Sequence, residues 1–86
     1  MHELSLAEEI CRIAERATGS THASRIRTVA VEVGDDAGVE SESLGFWLEV
    51  LLQEPPFHHA AVRIIRGEGN TLRVSHLEVD DGDPND

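Results

Sequence analysis

The sequence predicts a small single α+β domain, two helices packed on one face of a three-stranded sheet, in the order helix-strand-helix-strand-strand. Three observations predict it. A chain of 86 residues has room for one modest core, since at this size roughly 60% of the unfolded surface becomes buried. Apolar residues recur at three- and four-residue spacing in two stretches and alternate in three others. The only aromatics are Phe46, Trp47 and Phe57, so the core is built from Leu, Ile, Val and Ala.

The first helix runs from Glu3 to about Thr18. Leu6, Ala7, Ile10, Ile13, Ala14 and Ala17 form its apolar stripe, and Gly19 stands where helices commonly end. Cys11, at the edge of that stripe, reads as a small buried thiol. Residues 20–24 form a polar connection with His22 exposed. Residues 25–33 alternate as a half-buried strand, with Arg27, Val29, Val31 and Val33 on one face and Ile26, Thr28, Ala30 and Glu32 on the other. Asp35 and Asp36 in the next loop read as turn residues, because the 12-residue calcium pattern with its closing Glu does not follow.

Ser41 reads as the N-cap of the second helix, with Glu42 in its first turn. Leu44, Trp47, Leu48, Leu51 and Leu52 make its apolar face; Phe46 and Val50 beside them widen the stripe beyond half the circumference. Pro55-Pro56 stops this helix. His58 and His59 read as extended neighbours pointing to opposite sides, which keeps them from sharing an ion. Residues 60–66 and 71–79 are the second and third strands, and Gly67-Glu68-Gly69-Asn70 between them reads as a tight hairpin. His76 alternates with Leu72 and Val74, which places it on their packed face. Strand order stays open: a third strand lying between the others makes every pair antiparallel, and any other order gives a mixed sheet. Both helices cover one face and leave the other free. The domain spans residues 1–79, and residues 80–86 form an acidic tail.

The formal net charge is −10, and residues 1–79 alone carry thirteen acids against seven arginines. A surface of this sign repels the phosphate backbone and anionic lipid headgroups, which excludes nucleic acid and membrane as partners. No apolar run approaches the roughly 18 residues of a membrane span, and the first residues lack the basic start and apolar centre of a signal peptide. A cytoplasmic protein is expected. Cys11 is the single cysteine, so no internal disulfide forms, in keeping with a reducing compartment. The absence of lysine reads as a genome-composition bias.

The chemistry concentrates in Met1-His2-Glu3-Leu4-Ser5. A histidine in second position beside a free α-amine presents four nitrogens to one ion: the Met1 amine, the backbone nitrogens of His2 and Glu3, and the His2 imidazole. This planar set suits Ni(II) or Cu(II) better than tetrahedral zinc or oxygen-seeking magnesium, and Cu(II) competes for the same nitrogens. The large second residue leaves Met1 in place, because methionine aminopeptidase generally requires a small one there. Binding requires a neutral amine, ordinarily titrating at about 7.7–8.0, a neutral imidazole and metal-promoted loss of two amide protons. Affinity therefore falls as the pH drops. The two amidates balance the charge of the ion, and the carboxylates of Glu3 and Glu40 are outer hydrogen-bond acceptors. No Ser/His/Asp arrangement, phosphate loop or cysteine with a histidine partner stands in the chain, so it is not read as an enzyme. Glu8-Glu9 and Asp35-Asp36 are solvated faces.

The opening MHELSLAE resembles the start of the HypA/HybF family of nickel metallochaperones, which help insert nickel into nickel–iron hydrogenases and, in some organisms, urease. Residues 27–38 (RTVAVEVGDDAG) resemble the family's first strand and following loop, residues 39–52 its second helix and residues 72–79 (LRVSHLEV) its last strand. The resemblance implies that Met1, His2 and Glu3 bind Ni(II) transiently. It also implies handover without a reaction of the protein's own, a maturation GTPase and a hydrogenase large subunit as partners, and room for a homodimer. One family element is absent. The zinc module of two Cys-x-x-Cys pairs normally stands between the last two strands, where this sequence has a four-residue turn. With Cys11 alone a four-thiolate site is impossible, so the chain reads as a short form in which no zinc is expected. The alternative reading is a metal-free assembly module that docks on a hydrogenase subunit or maturation GTPase through its second helix or its open sheet face.

Overall fold

A computed structural model of the chain describes residues 2–80 and follows the predicted element order. The elements are α1 (Glu3–Thr18), β1 (Ile26–Gly34), α2 (Ser41–Leu51), β2 (Ala61–Gly67) and β3 (Leu72–Val79), with a 3-10 turn at Ala23–Arg25 leading into β1. Met1 and the tail from Asp81 onward lie outside the described residues. Asp80, expected as the first residue of that tail, is held to the domain: its amide donates to the Arg25 carbonyl at 2.8 Å.

The strands lie in the order β2-β1-β3. β1 runs parallel to β2, with Thr28 opposite Ala61 and Gly34 opposite Gly67, and antiparallel to β3, with Val33 opposite Leu72. This settles the sheet as mixed and overturns the tight hairpin expected at residues 67–70. β2 and β3 never pair; the connection crosses the end of β1, bridging two strand spacings of about 4.8 Å each. The physical reason lies in β1, whose valines give it the most apolar surface and draw a partner to each of its hydrogen-bonding edges. The crossing closes on Gly34, whose amide donates to the Thr71 carbonyl at 2.7 Å, while the Asp36 amide donates to Gly69 O at 2.8 Å. A Cβ on Gly34 would collide with the Gly69 carbonyl oxygen.

Both helices cover one face of the sheet, α1 toward β3 and α2 toward β2. Ala7, Ile10, Ala14, Leu44, Leu48 and Leu52 meet Ile26, Val29, Val31 and Val33 there in one cluster. Two β-bulges correct the simple alternation. A register shift between Ile26 and Thr28 breaks parity, so Ile26 enters the core while Arg27 is exposed. A second shift, between Ala30 and Val31 on β1 and spanning Ser75 on β3, lets Leu72, Val74 and Leu77 pack inward. His76 is thereby turned out, opposite Ala30 and 3.7 Å from Glu78. One extra residue is enough to reverse the face of everything beyond it.

The helices are also narrower than the stripes suggested. Ile13 is 40% exposed, and on α2 Phe46 and Val50 remain 57% and 39% exposed, so α2 is not buried over more than half its circumference. Phe46 packs edge-on against Trp47, ring centroids 5.1 Å apart. Ser41 is the first helical residue, not the cap. Glu40 is the cap instead, its Oε1 accepting from the Glu42 amide at 3.2 Å.

Candidate metal centre

His2 is exposed and extended, φ −80° and ψ 121°, and its carbonyl accepts the first rung of α1 from the Leu6 amide at 3.1 Å. Its imidazole caps nothing and so stays free for a ligand. Glu3 begins the helix. Amides in a first helical turn have no carbonyl one turn back to donate to, so those of His2 and Glu3 are not consumed by the α1 ladder. The positive end of the helix dipole also favours the negative charge that an amidate would carry. Of the three predicted ligands the structure thus places His2 and Glu3 side by side at an exposed helix start; Met1 lies outside the described residues.

What the sequence did not reveal is how this end is held. Glu3 Oε2 accepts from the Glu40 backbone amide at 3.1 Å, tying the start of α1 to the start of α2. That contact, and a second from its own amide, hold the Glu3 carboxyl below its ordinary 4.5. Glu40, expected as a second outer acceptor, caps α2 with one carboxylate oxygen, its Oε1 accepting from the Glu42 amide. Ser and Asp are the preferred capping residues, so a Glu in that position carries no signal that reading the sequence would catch.

Next to this end is an open cleft of about 440 Å³ lined in part by Gly34, Asp35, Glu40, Glu42 and Arg66. Arg66 forks onto Asp35 through Nε at 3.0 Å and Nη2 at 3.3 Å, which confirms Asp35 as an anchored loop residue. The remaining acids leave this end negative, which raises the local concentration of cations. Among the described residues no group of three or more His, Cys, Asp and Glu side chains is placed to hold a metal.

The other singled-out residues are accounted for. Burial pushes the Cys11 thiol up to about 11, which keeps it protonated and inert at neutral pH. His22 is exposed, its Nδ1 3.3 Å from Thr21 Oγ1. His58 and His59 are exposed too, but not on opposite sides. His59 adopts a left-handed φ of 55°, which turns the two rings toward each other, centroids 5.2 Å apart.

A domain of two helices on a three-stranded sheet is a fold that a solved structure shares. The solution structure of the Ni metallochaperone HypA from Helicobacter pylori superposes with a TM-score of 0.66 over 95% of this chain and 89% of that one, at 13% identity. A family model described as hydrogenase/urease nickel incorporation, metallochaperone, hypA matches residues 1–79. The hydrogenase maturation factor HypA of Alkalilimnicola ehrlichii is 38% identical over 72 residues, 84% of this chain and 64% of that protein. Its counterpart in an Azoarcus species is 44% identical over 64 residues, 74% and 56% respectively. The chain belongs to the HypA family, and the match spans between 56% and 64% of the length of these two relatives. Where the family's zinc module was expected to stand, this chain runs directly from Gly67 to Leu72. No helix among the described residues is long and apolar enough to cross a membrane.

Proposed function

We propose that this protein binds Ni(II) through Met1, His2 and Glu3 and hands it to a nickel enzyme during maturation of a hydrogenase or a similar target. The observation that carries this reading is the exposed start of α1. There the His2 imidazole is uncommitted and two adjacent amides can lose their protons without breaking a helical hydrogen bond. A square of nitrogens at a solvent-facing end binds a borderline metal firmly, yet lets a recipient's ligands approach from the open sides. Glu3 holds that end against α2 through Glu40 while keeping its carboxylate off the metal. On this reading the protein performs no covalent reaction, works in the cytoplasm on residues 1–79, and meets a maturation GTPase and a hydrogenase large subunit.

The test is a calorimetric titration of untagged protein with Ni(II), with the yellow absorption of square-planar nickel as a second readout. One equivalent is expected to bind. His2→Ala, or one residue added before Met1, is expected to abolish stoichiometric binding with the far-ultraviolet circular dichroism unchanged; undiminished binding in either variant would overturn the site. A second reading, the metal-free assembly module, draws on the exposed Phe46 and Val50 of α2. It is favoured if purified protein binds no nickel yet forms a complex with a hydrogenase subunit that Phe46→Ala weakens.

A further inference from the structure

At the opposite end of β1 from the start of α1, the fold gathers two arginines and two histidines in a chain whose formal charge is −10. Arg25, Arg27, His58 and His59 line an open cleft of about 630 Å³ with Ile26, and Asp80 is the one carboxylate among its lining residues. Two local departures from regular backbone place these side chains. The bulge at the start of β1 sends Ile26 into the core and Arg27 outward, and bulges are a common way of re-aiming a side chain beside a site. The left-handed φ of His59 brings both imidazoles to one side, their rings 5.2 Å apart. A non-glycine residue with positive φ is uncommon and must be held there by its surroundings.

The Arg27 side chain, like those of Arg16 and Arg63, forms no hydrogen bond or ion pair among the described residues, whereas Arg12, Arg66 and Arg73 each engage a carboxylate. A guanidinium left open in a strongly acidic protein, with two imidazoles lining the same cleft, presents a planar fork of donors and further N–H groups to one space. The geometry points to an oxyanion-binding site: the cleft between the start of β1 and the loop before β2 takes a phosphate or carboxylate group, clamped by Arg27 and contacted by His58 and His59. Arg27 supplies the bidentate contact that such groups favour, and the imidazoles that line the same cleft add N–H donors. A metal ion is the poorer occupant, because the two arginines repel it and the described residues supply no three-ligand group.

The experiment is a titration of ¹⁵N-labelled, untagged protein, followed by amide chemical shifts, with inorganic phosphate in one arm and succinate in the other. Sodium chloride at matched ionic strength is the control. Saturable shifts at Arg27, His58 and His59 are expected with phosphate, and a response to succinate as well would make the site a general oxyanion clamp. Arg27→Gln should weaken binding about tenfold or more, the loss expected when a charged hydrogen-bond partner is removed. Arg27→Lys, which keeps the charge but not the fork, should fall between, and Arg16→Gln on the far helix should change nothing. Shifts no larger than those with chloride, or equal affinity in Arg27→Gln with a well-dispersed spectrum, would overturn the proposal.

Discussion

The first turn of α1, tied to Glu40, and the crossover from β2 to β3, closed on Gly34 and Asp36, serve opposite ends. The chemistry proposed for the first turn rests on backbone nitrogens and one imidazole that the fold hardly uses: His2 is exposed and caps nothing. At the crossover, residues with no reactive group fix the topology by how closely they allow backbone to approach backbone, Gly34 against Gly69 above all. A site built from main-chain atoms needs only a helix start in the right place. The fold needs its core and its crossover, and substitutions should separate the two.

The largest effect on stability is expected from Leu48→Ala. Leu48 is fully buried between α2 and the sheet, with Leu44 and Leu52 one turn away on either side. Its truncation should cost about 2–5 kcal/mol, a large part of the roughly 5–15 kcal/mol that holds a domain folded. Urea unfolding measures the loss. In the fraction that remains folded, one Ni(II) should still bind, because Leu48 is no part of the proposed site at Met1, His2 and Glu3. A parallel loss of nickel stoichiometry in folded protein would break the separation between the two regions.

Glycine-to-alanine changes should come next, with opposite signs at two positions. At Gly34 an added Cβ meets the Gly69 and Glu68 carbonyl oxygens, both backbone atoms that cannot swing away, so Gly34→Ala should destabilise by about 1–3 kcal/mol. At Gly45, inside α2, the same Cβ meets only the Ile64 side chain at 3.8 Å, an ordinary contact, so Gly45→Ala should stabilise by about 0.5–1 kcal/mol. Thermal unfolding of both variants decides this. Equal shifts of one sign would show that chain entropy, and not the closeness of the crossover, governs Gly34.

How much of this was legible in the sequence follows the same division. The proposed nickel site was put forward without any fold, because it rests on three consecutive residues; the five elements were legible within one or two residues because their periodicities differ. The crossover was not, since Gly67-Glu68-Gly69-Asn70 carries the chemistry of a hairpin turn, and only competition for both edges of β1 decides otherwise. Nor were the bulges at Arg27 and Ser75, because parity along a strand assumes that no residue is extra. That is why Ile26 and His76 were assigned to the wrong faces and why the cleft around Arg27, His58 and His59 left no trace in the spacing. The Glu3–Glu40 contact joins residues 37 apart with no pattern to announce it.

The smallest expected effect bears on that contact. The Glu40 amide holds the Glu3 carboxyl below its ordinary 4.5, so the folded state binds its proton less readily than the unfolded chain does. The resulting stabilisation is present above pH 4.5 and is lost as the pH falls through the lowered folded value. Glu3→Gln keeps an oxygen that can accept from Glu40 but removes the charge. The variant should therefore be slightly less stable at neutral pH, and the difference should vanish in acid; urea midpoints at pH 7 and pH 3 measure this. Nickel binding should survive, because glutamine supplies the same backbone nitrogen. If Glu3→Gln instead abolishes the yellow Ni(II) absorption while the protein stays folded, the carboxylate is itself a ligand. The first turn would then depend on side chains as much as on its backbone, and its contrast with the crossover would narrow.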